Sequence, residues 1–124
     1  MNQDLIELKL KGYCCSQILM ELGLRKMDKE NPDLIAAMAG LCNGLWQGRV
    51  CGILSAAICL IYLADPHKAS HTAVQELNDW FEDTFGSIDC SELMEGNPLN
   101  KVEKCPMMLE STFVKVEELL EWDV

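Results

Sequence analysis

Seven cysteines among 124 residues are where this sequence concentrates its chemistry, because a thiolate can be a nucleophile, a metal ligand or half of a redox couple. They are Cys14, Cys15, Cys42, Cys51, Cys59, Cys90 and Cys105. No two stand as Cys-x-x-Cys, so zinc-ribbon, thioredoxin-type and c-type haem attachment motifs are absent. The run Cys15-x35-Cys51-x38-Cys90-x14-Cys105 can make a site only if the fold brings distant segments together. The count is odd, so at least one cysteine lies outside any paired or four-ligand arrangement.

Other chemistry is sparse. His67 and His71 are four apart, a spacing that can grip a metal on one helix face and that two surface histidines in a polar first turn explain equally well. There is no Walker pattern and no G-x-S-x-G, so no catalytic machinery declares itself. Met107, Met108, Trp46, Trp80 and Trp122 need only core packing. Glu117, Glu118, Glu121 and Asp123 read as a solvated helix face.

Ten Lys and Arg against 20 Asp and Glu give a net charge of -10, which argues against nucleic acid and anionic membrane surfaces as partners. With 49% apolar and 24% charged residues the chain reads as one globular domain over 1–124. The longest apolar run, Ile53 to Leu63, is too short to span a bilayer, so membrane insertion is not expected. The first residues lack a basic region and an apolar core, which predicts no signal peptide and a cytoplasmic location. Thiols stay reduced there, so metal binding or redox chemistry explains the cysteine excess better than a disulfide framework.

The positioning elements follow from periodicity and breakers. Helices are expected over 3–11, ending at Gly12, over 13–22, ending at Gly23, and over 33–41 after Pro32. An almost wholly apolar stretch, about 50–63, must be a central helix surrounded by protein. An amphipathic helix over 71–85 ends at Gly86, a short turn follows Asp89, and a last helix starts near Cys105-Pro106. The fold class is therefore all-α: a compact bundle of about five to six helices around the central apolar one.

On this map Cys15, Cys51, Cys90 and Cys105 each lie at or near a helix start. Unpaired N–H groups and the positive end of the helix dipole favour thiolate there, with lowered pKa values. Cys42, late in the third helix, and Cys59, within the apolar one, read as small core hydrophobes, and Cys14 as core or a neighbour of the site. Mild oxidation of metal-free protein is expected to link Cys90 and Cys105, the closest of the four in sequence.

The segments Gly12-Tyr13-Cys14-Cys15-Ser16-Gln17, Cys51-Gly52-Ile53-Leu54-Ser55-Ala56 and Phe85-Gly86-Ser87-Ile88-Asp89-Cys90-Ser91-Glu92-Leu93, with Cys105, resemble the C-GCAxxG-C-C family of redox-active proteins. The resemblance covers nearly the whole chain and implies that Cys15, Cys51, Cys90 and Cys105 are the functional, metal- and cofactor-binding set. Ile53 replaces the motif's Ala, Ala56 its second Gly, and Cys42 stands where the family tends to have a glycine-rich turn. A likeness of the family to the non-haem part of split-Soret cytochromes implies an iron–sulfur cluster. Four thiolates suit [2Fe–2S] and electron transfer with a redox partner protein. A metal-free dithiol–disulfide protein is the alternative, and a structural four-cysteine zinc site the second, disfavoured because such sites usually draw ligands in close-spaced pairs. Homo-oligomerisation is left open.

Overall fold

The computed structural model describes residues 2–122. The order of elements is α1 (Asn2–Leu10), α2 (Cys15–Lys26), α3 (Pro32–Met38), α4 (Gly52–Ala64), α5 (Val74–Phe85), α6 (Cys90–Leu93) and α7 (Lys101–Leu119). A 3₁₀ turn, Ala39–Leu41, and a wide turn, Gly44–Gly48, join α3 to α4. The turns Pro66–Lys68 and Ala69–Ala73 lead into α5. Among the described residues the only β pairing is one antiparallel bridge, Val50 to Asp89, so the all-α expectation holds. No helix among them is long and apolar enough to cross a membrane.

Capping explains several starts. Asn31 Oδ1 accepts from the Leu34 amide (3.1 Å) ahead of Pro32, and Asp65 Oδ1 accepts from the Lys68 amide (3.0 Å) ahead of Pro66. At the head of α2, Gln17 Oε1 accepts from the Cys14 amide (3.1 Å). Such contacts satisfy backbone donors that have no partner inside the helix.

The centre is α4, whose Ile53, Leu54, Ala56, Ala57, Leu60 and Ile61 are all buried, packed against α2, α5 and α7. Its burial is one-sided, however: Cys59, Tyr62 and Leu63 are exposed. A helix this apolar is therefore surrounded over most of its circumference but not all, and Cys59 is no core residue.

Three boundaries depart from the sequence expectation. Helix α2 runs through Gly23 to Lys26, because that glycine serves as a contact surface: a Cβ there would lie 2.4 Å from both Leu60 methyl carbons. Helix α3 ends at Met38, which puts Cys42 beyond it in extended backbone (φ -66°, ψ 153°). Helix α7 begins at Lys101, not at Cys105, and carries Pro106 inside. Pro106, in the second turn, has no N–H to give to Val102 O, and its ring crowds that carbonyl.

The acidic end of α7 is a solvated face at Glu118 and Glu121, which are exposed, but not at Glu117. Glu117 is 2% exposed and its carboxylate meets Lys26 Nζ at 3.0 Å, while Glu118 pairs with Lys115 and Glu121 with Lys68. Asp123 lies outside the described residues. Lys115 lies in α7 itself, whereas Lys26 and Lys68 come from the end of α2 and from the turn before α5, which the chain order alone does not place against α7.

Replacing a helical glycine by alanine usually stabilises a helix, yet Gly23→Ala is expected to destabilise by about 1–3 kcal/mol through overpacking against Leu60. Urea denaturation measures it, and a gain in stability would show that α2 and α4 do not touch at this point.

Candidate thiol site

The first turns of α2, α4 and α7 and the short α6 open on one cavity of about 240 Å³, lined by Cys14, Cys15, Cys42, Cys51, Cys90 and Cys105. Lys9, Tyr13, Asn43, Lys101 and Val102 complete much of its wall. All four cysteines at the expected helix starts are thus on one wall system, although up to 90 positions separate them in the chain.

Local bonding explains the convergence. Around the Val50–Asp89 bridge the Cys51 amide donates to Ile88 O (2.7 Å) and the Cys90 amide to Arg49 O (2.6 Å), which brings the loop ahead of α4 against the loop ahead of α6. Gly52 permits the approach, since a Cβ there would sit 2.5 Å from Leu41 O. Close backbone approach beside Cys51 therefore survives the replacement of the motif's other small residues by Ile53 and Ala56. From the opposite side Cys15, the first residue of α2, hydrogen-bonds Cys105 in α7.

The four thiols differ in acidity. Cys105 is held down to about 7, first by the hydrogen bond from Cys15 and then, against the cost of burial, by the Lys101 and Lys9 charges. Cys15 is pushed up by the same bond and by burial. Cys51 is pushed up to about 11 by burial, although the Ile53 and Leu54 amides at the head of α4 face its sulfur and favour the thiolate. Burial also raises Cys90 against the pull of Lys101. The expectation that every helix start lowers its thiol's pKa is thereby corrected: desolvation outweighs the helix terminus at Cys51 and Cys90. The one acidic thiol, Cys105, sits a turn inside its helix and owes its acidity to side chains.

A further correction concerns pairing. Cys14 and Cys42 form a disulfide, with Cα atoms 6.3 Å apart; Cys42 is buried as expected, but it lies beyond α3 and is no free thiol. Cys105 acts on the acidity of Cys15 through a side-chain hydrogen bond and on that of Cys90 through its charge. The seven cysteines divide into one disulfide, four thiols at the cavity, and Cys59 on the outer face of α4.

Among the described residues no three His, Cys, Asp or Glu side chains gather tightly enough to hold a single metal ion. His67 and His71 stack at 4.1 Å, and the His71 Nδ1 lies 2.9 Å from His67 O, an arrangement of neighbours on one helical turn.

Sequence reasoning missed Lys9, Lys101 and Asn43. Lys101 Nζ donates to Asn43 Oδ1, and the lysine stands four residues before Cys105, on the same face of α7. That spacing was a readable signal once the helix start is set at Lys101; reading Pro106 as a first-turn residue concealed it.

Thiols from four separate segments thus meet in one cavity, with a lysine in its wall. The sequence profile described as "Putative redox-active protein (C_GCAxxG_C_C)" matches residues 13–119, and the chain belongs to that family. No curated protein and no solved structure matches it.

In metal-free, folded protein the alkylation rate of Cys105 should rise with pH through a midpoint at about 7, and that of Cys51 through about 11. Lys101→Gln should move the Cys105 midpoint upward, since the cation favours the thiolate. Peptide mapping after timed alkylation reads both. Equal profiles for Cys105 and Cys51 would contradict the assignment.

Proposed function

We propose that the protein is an electron-transfer module in which Cys15, Cys51, Cys90 and Cys105 hold an iron–sulfur cluster of the [2Fe–2S] type. The observation that carries this reading is the convergence of these four thiols on one cavity. They arrive as two neighbouring sets, Cys15 with Cys105 through their hydrogen bond and Cys51 with Cys90 through the bridge between their loops. Two thiolates for each of two irons is the donor set such a cluster asks for. A closed zinc site would draw all four donors to one ion, and such sites usually take their ligands in close-spaced pairs, which this sequence lacks.

When bound, the cluster supplies one-electron transfer. The chain's own part is binding and electrostatics. Cys51 and Cys90 are buried, which limits water at their sulfurs. The Ile53 and Leu54 amides face the Cys51 sulfur. Lys101, with Lys9 at the rim, offsets negative charge on the thiolates. These are the levers by which a protein tunes a sulfur-ligated centre.

Anaerobically purified protein, or protein reconstituted with ferrous iron and sulfide, should absorb visible light and contain equal amounts of iron and labile sulfide. Cys15→Ser, Cys51→Ser, Cys90→Ser and Cys105→Ser should each lose most of that absorbance, and Cys59→Ser should keep it. Colourless protein after reconstitution, or colour that survives two of the four substitutions, would overturn the proposal.

A further inference from the structure

We propose that Cys14 and Cys42 are a second redox centre, a dithiol–disulfide couple that fastens the segment 39–49 to the head of α2 and opens to an external dithiol through the cavity. The two cysteines are 28 positions apart, and their 6.3 Å Cα separation lies within the range that a disulfide spans. Both line the same cavity as the four thiols, so a small thiol that enters it meets them.

The surroundings suit both redox states. Ser16 is fully buried, and its Oγ donates to Met38 O (2.8 Å) while lying 2.8 Å from Cys42 Sγ and 3.4 Å from Cys14 Sγ. With its proton on Met38 O, the hydroxyl keeps lone pairs for an S–H once the bond is opened, so neither state leaves a buried polar group without a partner. Cys14 is half-buried and Cys42 buried, which makes Cys14 Sγ the sulfur open to attack.

The pinned segment has reason to relax. Asn43, Gly44, Leu45 and Trp46 run consecutively in the left-handed region, with φ of 54°, 61°, 62° and 60°, a conformation that costs non-glycine residues free energy. Leu45 and Trp46 are exposed, so burial does not offset that cost. The Trp46 indole bonds only within the segment, to Ala39 O (2.8 Å). Besides its start, where backbone amides bond Ala36 O and Ala37 O, and the Ser16 contact at Cys42, the links that leave it include Asn43 Oδ1, which accepts from Lys101 Nζ, and Arg49 O, which accepts from the Cys90 amide. The disulfide is the covalent link, and it sits next to the strained turn.

The step balances as a thiol–disulfide exchange. A thiolate of the external dithiol attacks Cys14 Sγ, forms a mixed disulfide and releases the Cys42 sulfur beside Ser16. The donor's second thiol then displaces Cys14. Two electrons and two protons pass to the cysteine pair, and the donor leaves as a disulfide. An oxidised dithiol reverses the step.

The test uses the whole chain, equilibrated without oxygen across ratios of reduced to oxidised dithiothreitol, then quenched by alkylation and mapped, with amide hydrogen exchange followed on parallel samples. The linked Cys14–Cys42 peptide should disappear as the reduced fraction rises, and exchange in 39–49 should quicken by about tenfold or more, as for a segment released from a local constraint. Cys42→Ser should show the fast exchange at every ratio. Absence of the linked peptide at the most oxidising ratio would overturn the proposal, as would equal exchange in the linked and reduced forms. Iron content, read on the same samples, reports on the cluster alone, so failure of one reading is distinguishable from failure of the other.

Discussion

The close approach of α2 and α4 is the constraint on which the rest of the structure depends. Gly23 meets Leu60 eight residues into each helix, and the heads of both helices open on the same cavity, so the two run with their N-termini at one end. The first turn of α7 reaches that end as well, through Lys101 and Val102. Helices aligned in this way place their positive ends together, an arrangement that negative charge at the shared end relieves. Thiolates and a sulfur-ligated cluster carry that charge. The apolar interior that holds the helices together is therefore also what brings their positive ends to one cavity.

Burial works against negative charge there. Removing Cys51 and Cys90 from water favours their neutral forms, and the helix termini do not overcome this. Lysines act where backbone dipoles fall short. In a chain with a net charge of -10, Lys101 and Lys9 both act on the sulfur of Cys105. The single acidic thiol that results stands against Cys15, which keeps its proton. The cavity thus holds thiols of graded acidity in place of four equivalent ones.

Much of this was legible in the residues. The apolar stretch at 50–63 marked the central helix, Gly12 and Gly86 marked helix ends, and helix-start placement together with the family motif singled out the four cavity cysteines. What failed did so for physical reasons. Gly23 looks like a helix stop until Leu60 is known to press on it. Pro106 looks like a first-turn residue, but a helix can admit proline one turn later. Cys42 and Cys59 both look like core residues from the company they keep in sequence. Cys42 is buried, but beyond α3 and bonded to Cys14, while Cys59 turns outward. No local pattern encodes a pairing across 28 positions, because it depends on how α3 folds back over the head of α2.

Iron K-edge X-ray absorption of the anaerobically prepared protein addresses the central claim most directly, since it reads what surrounds each iron atom. The account predicts a first shell made of sulfur alone and a resolved iron–iron scattering path, as two irons bridged by sulfide and held by the four cavity thiolates require. Nitrogen or oxygen in the first shell, or the absence of an iron–iron path, would contradict it.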